Sequence, residues 1–419
     1  MGSTDMAKKI ELIKTTRREL LAGAAGLVTA ATAGTLSSAA TTATAPTAAP
    51  TTAGATAPGK SSRPAVTPVA VAKRGAYQTV PLRQDAINVT AIQSRVRSVD
   101  IRNLGPSMQA NLDHVVGLID IAQGSDAAWG GERLWGGKQD LICMHEFPIQ
   151  GFQPWTRKEL NRIAFDLPGP ESAVISERAR KYDCYIAFGC YAKDKDWPNH
   201  FINMSVIIGP SGEIVSKQWK ARNILGLFGE GALFGTTIYD VLDRYVEMYG
   251  WDATMPVART NIGNIAMTSV GGEPMLYQCL AMKGAEIIIL TVTGGTNADS
   301  AIATARGSRV YCVGVGNSVT PDNIGFAEAA GSRDEGTVIV DPRGTPIARS
   351  ANHHEDTVSG RIPIADFRKN RRVSELPVAL FLPVLQQYEP VFQPNSFLEY
   401  LPTDYRDAGA YIRRRMNIK

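Results

Sequence analysis

Apolar positions along the chain fall into two rhythms. From Asn88 to Val99 apolar and polar residues alternate, the period of a strand with one covered face. Leu112, Val115, Val116 and Ile119 then recur at i, i+3, i+4 and i+7, the stripe of an amphipathic helix. Beyond a Trp/Gly-rich loop, AAWGGERLWGGK, the run DLICMHEFPI predicts a short buried strand, and a helix is predicted over about 171–182. CYIAFGC, INMSVII and EIVSKQWK follow as strands, with Pro210-Ser211-Gly212-Glu213 as a glycine hairpin turn between the last two. The same device returns at Pro342-Arg343-Gly344-Thr345, between VIVD and PIARS. No fixed-period repeat accompanies this echo, which argues against solenoids and propellers. Helices and mixed strands in this order predict a layered α/β or α+β domain rich in antiparallel hairpins.

The pattern fails at both ends. Residues 41–59 contain only Ala, Thr, Pro and Gly, too little apolar surface to offset ordering entropy, so 46–76 is expected to be a flexible linker. Ahead of it, KKIELIKTTRRELLAGAAGLVTAATAG places a basic region with Arg17 and Arg18 before a moderately apolar run and small-residue sites. Residues 1–45 thus resemble a twin-arginine export signal, which implies the twin-arginine machinery as a partner and a periplasmic or secreted location. The run is too short and weakly apolar for a permanent membrane span. Residues 391–419 hold the aromatic-proline clusters VFQP and EYLP and then Arg413, Arg414 and Arg415; without a core-forming period they are expected to be an arm against a neighbouring subunit. The folded domain is then 77–390.

Charge changes meaning once these segments are separated. Residues 1–76 carry nine Lys or Arg and three acidic residues, a balance of +6; the whole chain is +4, so the body is −2 and a nucleic-acid role loses its support. The five cysteines, at 143, 184, 190, 279 and 312, form no CxxC and mostly sit in apolar runs, which predicts buried thiols over disulfides or a zinc site. With only five histidines, and His353-His354 in a charged loop, neither a metal nor an organic cofactor is implied.

Three charged residues adjoin apolar stretches: Glu146 near the end of LICMHEFPI, Lys220 closing EIVSKQWK, and Glu230 after the apolar loop ILGLFG. Gathered and desolvated, they suit acid/base and oxyanion work. Four ordered blocks give these residues a context. LICMHEFPIQGF, FINMSVIIGPSGEIVSKQWKARN, ATARGSRVYCVGVGNS and GSRDEGTVIVDPRGTPIA resemble successive blocks of the nitrilase superfamily of carbon–nitrogen hydrolases, over about Ser98 to Arg372. The resemblance implies a four-layer αββα sandwich, subunits that pair into dimers or larger assemblies, and a small amide-like substrate. It also implies Glu146 as general base, Lys220 as oxyanion stabiliser, Glu230 as second glutamate and Asn317 at the family's asparagine. His145 is expected on the opposite face from Glu146, and Cys143 likewise. Pocket walls are expected from loops such as 124–139 and 231–256.

The departure lies in GNIAMTSVGGEPMLYQCLAMKGAEIII, Gly263 to Ile289, which has the strand–turn–helix layout that holds the family's cysteine nucleophile. Counting from Gly263 puts the nucleophile at Val270 and counting back from Pro274 puts it at Thr268, so the turn is two residues short and neither register yields cysteine. Three readings follow. Ser269, between the registers, is the most serviceable substitute nucleophile, although a hydroxyl ionises far less readily than a thiol. Alternatively Glu146, Lys220 and Glu230 activate water without a covalent step, or the protein is a catalytically silent binder of a small amide-like ligand. Cys279 and Cys312 are assigned to packing.

Overall fold

The computed structural model describes residues 67–124, 137–223, 230–293, 298–318, 336–352, 354–371, 373 and 376–416. The predicted export signal, the linker up to residue 66, the loop 125–136, the run ILGLFG and His353 lie outside the described residues.

Twelve strands build two six-stranded sheets among the described residues. The first contains β1 (Ile87–Gln93), β2 (Leu141–Met144), β3 (Tyr185–Ala192), β4 (Ile202–Ile208), β5 (Ile214–Trp219) and β12 (Asp356–Ile362), in the order β12-β1-β2-β3-β4-β5. The second contains β6 (Ala258–Thr260), β7 (Gly263–Thr268), β8 (Ile287–Thr291), β9 (Tyr311–Val315), β10 (Val338–Val340) and β11 (Pro346–Arg349), in the order β6-β7-β8-β9-β10-β11. Read in these directions, both sheets share one pattern of pairing: antiparallel, parallel, parallel, antiparallel, antiparallel. The echoed hairpins sit at equivalent places. Gly212 and Gly344 take φ of 84° and 85°, which only glycine adopts freely, and each turn closes with its own backbone hydrogen bonds.

The layering follows from burial on both faces of the parallel strands, which is why they read as continuous apolar runs. Between the sheets pack Val89, Ala91, Leu141, Ala187 and Ile207 from one side and Ile265, Met267, Ile289, Val313 and Ile339 from the other. The outer face of the first sheet is covered by α1 (Leu104–Ala122), α2 (Arg157–Ile163) and α3 (Pro170–Tyr182), through Leu112, Val115, Ile119, Leu160, Ile175 and Ala179. The outer face of the second is covered by α5 (Pro274–Met282) and α6 (Ala298–Ser308), through Tyr277, Leu280, Ala301 and Ala305. This is the expected αββα sandwich.

Several local expectations change. The strand predicted over Asn88–Val99 stops at Gln93, and beyond it only an isolated bridge joins Arg95 to Ser318. The segment 231–256 is not an open loop but carries α4 (Leu242–Tyr249) and flanking 3-10 turns, with Val241, Tyr245 and Val246 buried. The linker is docked from Thr67 onward: Ala70 N–H donates to Asp252 and Ala72 N–H to the carbonyl of Met282. After β12 come α7 (Ile364–Asn370) and α8 (Val378–Gln387), none of whose residues in α8 is buried. The C-terminal segment does have a core-forming period. In α10 (Tyr405–Arg415), Tyr405, Ala408, Gly409 and Ile412 recur at helical spacing, and Ala408 and Ile412 enter the same core as Phe397 of α9 (Ser396–Glu399). All five cysteines are free thiols, so Cys184 and Cys190 are not bonded; Cys279 is half-buried and the other four are buried.

Candidate active site

Parallel strands deliver their C-terminal ends to one edge of a sheet, and the polar residues of the body gather there. Glu146 lies two residues past β2. Its backbone is received by Gly189 of β3, where an added Cβ would stand 2.4 Å from the carbonyl oxygen of Glu146. Gly189 N–H also donates to the carbonyl of His145 at 3.0 Å. A side chain at position 189 would therefore displace the catalytic-base candidate.

Lys220 follows β5, and its N–H donates to the carbonyl of Asn203 on β4 at 2.8 Å. Strand order thus brings together residues 74 positions apart. Lys220 Nζ donates to Glu146 Oε1 at 2.8 Å, and Asn203 Nδ2 donates to the same oxygen at 2.7 Å. Both charged side chains are almost wholly buried, at 4% and 6% exposure. Among the described residues Glu146 Oε2 has no hydrogen-bond partner and the Lys220 ammonium has none besides Glu146, so one acceptor and two N–H donors remain open. Asn203 is the functional candidate that charge alone does not reveal, although it opens the hairpin block FINMSVIIGPSG. Its Oδ1 is buried without a partner, and its orientation follows from the carboxylate, which can only accept.

His145 turns away, as expected. Its Nδ1 accepts from Phe147 N–H at 3.2 Å, which leaves Nε2 to donate to Ser94 Oγ at 2.8 Å. Burial lowers its pKa to about 3, so the imidazole is a neutral strut. Cys143 faces the inter-sheet core, and burial raises its thiol far above the range in which a thiolate forms.

The turn after β7 carries the hydroxyls but not to the base. Ser269 Oγ lies 3.1 Å from Ser205 Oγ of β4 and 3.0 Å from Thr291 Oγ1 of β8, and Ser205 and Thr291 are 3.3 Å apart. This closed trio sits two residues along β4 from Asn203, a step of roughly 7 Å. Ser269 makes no hydrogen bond to Glu146 or Lys220. The turn is braced by Tyr277, whose hydroxyl donates to the Val270 carbonyl at 2.8 Å, and by an ion pair between Arg222 and Glu273.

Glu230 does not join the pair. It is exposed, and its carbonyl oxygen accepts from Arg413 Nη1 at 2.5 Å while its backbone rests against Gly409 of α10. A buried carboxylate, Asp240, instead organises the turn that follows Lys220. Its Oδ2 accepts from Asn223 Nδ2 and from the N–H and hydroxyl of Thr237, in a turn whose Ile238 N–H donates to the Lys220 carbonyl. Burial raises its pKa to about 7 against those hydrogen bonds, and Oδ1 is left without a partner. Asp240 fixes the segment carrying Lys220. Asn317 donates to the carbonyl of Ser318 at 3.0 Å. Among the described residues no three His, Cys, Asp or Glu side chains converge as a metal site.

An acceptor and donors held side by side, with a positioning amide and no thiol, can be set against known proteins. Nit3 of Saccharomyces cerevisiae, described as a member of branch 10 of the nitrilase superfamily, shares the fold with a TM-score of 0.52 at 16% identity, over 71% of this chain and 98% of that one. An amidase from Nesterenkonia sp. aligns at 15% identity with a TM-score of 0.47, over 70% of this chain and 95% of that one. The profile of carbon–nitrogen hydrolases matches residues 96–372, a span that contains both sheets' parallel strands from β2 onward together with Glu146, Asn203 and Lys220. The chain belongs to the carbon–nitrogen hydrolase family.

Proposed function

We propose that this is an exported hydrolase that cleaves a non-peptide C–N bond of a small amide-like compound by direct attack of water, without an acyl-enzyme. The observation that carries the reading is the open side of the buried pair: a carboxylate oxygen without a partner beside an ammonium with two N–H groups to spare. In this scheme Glu146 Oε2 takes a proton from water as its oxygen attacks the carbonyl carbon, and Lys220 N–H groups stabilise the tetrahedral oxyanion. Collapse breaks the C–N bond, the proton passes from Glu146 to the leaving nitrogen, and carboxylic acid and amine depart. Ser269 is not asked to attack, since its hydroxyl is bonded to Ser205 and Thr291.

That same diversion of Ser269 supports a second reading, a silent homologue that binds the amide and does not turn it over. Ammonia release from a panel of small aliphatic amides separates the two. Turnover that Glu146→Gln and Lys220→Ala abolish supports the hydrolase. Amide binding without ammonia release, changed only in affinity by those substitutions, supports the binder. Mass spectrometry of the protein under turnover should find no acyl adduct, and an adduct on Ser269 would sink the water route. Export is supported by the basic, small-residue-rich pattern of residues 1–45. Replacing Arg17 and Arg18 by Lys should retain the protein in the cytoplasm.

A further inference from the structure

We propose that the Tyr191 hydroxyl hydrogen-bonds the carbonyl oxygen of the bound amide alongside Lys220, a role that rests on amide binding as read for this site but not on turnover. Strand register places the residue. Tyr191 of β3 stands directly opposite Asn203 of β4. Side chains directly opposite in an antiparallel pair leave the same face with Cβ atoms roughly 4.5–5.5 Å apart, so the phenol flanks the amide that holds Glu146 Oε1. Four residues back on that face Ala187 is opposite Ile207, and both pack between the sheets. The ring is fixed before any ligand arrives. Phe147, next in the chain to Glu146, stacks on it with centroids 4.3 Å apart and 25° between planes, and Phe201 meets it edge-on at 5.6 Å. Gln150 closes on its backbone: Tyr191 N–H donates to Gln150 Oε1 at 2.8 Å, and Gln150 Nε2 donates to the Tyr191 carbonyl at 2.7 Å.

What this fixed ring lacks is an acceptor. Tyr191 is 6% exposed, yet its hydroxyl forms no hydrogen bond among the described residues, whereas buried tyrosines ordinarily find a partner. Burial raises its pKa well above the ordinary phenol value and the Glu146 carboxylate adds to the rise, so the group keeps its proton and acts as a donor. Tyr191 on β3 and Lys220 after β5 lie on either side of β4, which carries Asn203 between them. Open donors thus flank one buried carboxylate from two sides. A ligand completes the set if it brings an oxygen with two lone pairs, because a carbonyl can accept from the Lys220 ammonium and the Tyr191 hydroxyl together. An amine or a hydrocarbon would leave the phenol unmet in a buried place, so the same donor selects for the carbonyl. In turnover that oxygen becomes the oxyanion; Tyr191 keeps its proton throughout and stabilises the charge by its hydrogen bond alone.

The test is Tyr191→Phe, which keeps the ring and its stacking and removes only the oxygen. The variant should melt at the wild-type temperature or above it, since no hydrogen bond within the protein is lost. A melt several degrees lower, or a variant that does not fold, would give the hydroxyl a partner in the protein and overturn the proposal. With acetamide, propionamide and butyramide as probes, kcat/KM for ammonia release should fall about 100-fold, as when one oxyanion donor is removed. Unchanged release overturns the role of Tyr191 and leaves the hydrolase reading standing. If the wild type binds these amides by calorimetry but releases no ammonia, the hydrolase reading falls and Tyr191 is judged on affinity. A loss of about 10-fold in the variant, as expected of one hydrogen bond, then supports its role, and an unchanged Kd overturns it. A wild type that neither binds nor hydrolyses any of the three overturns both.

Discussion

The buried Glu146–Lys220 pair makes a prediction that separates architecture from chemistry. Glu146→Gln leaves an ammonium with 4% exposure and no counter-charge; Lys220→Met leaves a carboxylate with only the Asn203 amide. Each single change should cost about 3–5 kcal/mol, because removing one partner keeps the desolvation of the other without its compensation. The double variant, neutral on both sides and similar in volume, should recover most of that loss, giving a coupling of at least about 2 kcal/mol. For a folded body of about 340 residues, at about 2.1 cal/mol/K of unfolding entropy each, the single variants should melt roughly 4–7 °C lower. Urea titration followed by tryptophan fluorescence measures the free energies and calorimetry the midpoints. Singles that each cost under about 1 kcal/mol, or a double variant that is simply their sum, would show a solvated strand end, and the reasoning built on desolvation would fail. In the hydrolase reading the double variant is stable and inactive.

Three further outcomes follow from the same geometry. Ser269→Ala should keep amide turnover within about 3-fold if water attacks directly, whereas a drop of about 1,000-fold would restore the serine as nucleophile. Gly189→Ala places a methyl where only 2.4 Å separates it from the Glu146 carbonyl oxygen, and should cost about 1–3 kcal/mol and at least about 10-fold in rate; unchanged kinetics would show that the position of Glu146 is not set by β3. Asp240, raised to about 7 from an unfolded value near 3.9, holds a native-state proton that the unfolded chain has released, so its contribution is full below about pH 4 and is lost as pH rises through 7. The stability difference between Asp240→Asn and wild type should therefore change by up to about 4 kcal/mol between pH 4 and 7.5, and a difference flat with pH would refute a proton on Asp240.

Much of the fold was legible because its signals are local. INMSVII and CYIAFGC could be read as strands since both faces are buried, and the two glycine hairpins marked equivalent turns in the two sheets. The pairing of Glu146 with Lys220 is not local. It depends on strand order across 74 residues and was readable only through likeness to a family. Asn203 lies in the hairpin block FINMSVIIGPSG but carries no charge, and its role rests on the contact of Nδ2 with Glu146. Sequence distance past Lys220 does not locate Glu230, which is exposed and whose carbonyl accepts from Arg413 of α10. That helix itself was overlooked because arginines and aspartates surround the four positions that face the core. Ser269's partners could not be foreseen, since they come from strands of two different sheets.

The order of the first sheet sets a condition on synthesis. β12 pairs with β1 over seven registered residues, from Ile87 opposite Ile362 to Gln93 opposite Asp356. The strand that lies next to the parallel core is thus covered only by one made some 270 residues later, and until residue 362 has left the ribosome the amides and carbonyls of β1 form a raw edge able to recruit other chains. A chain cut short before β12 should aggregate even though every residue near Glu146 and Lys220 has been made. Completion of the polypeptide, rather than assembly of the reactive end of the sheets, is what closes the molecule.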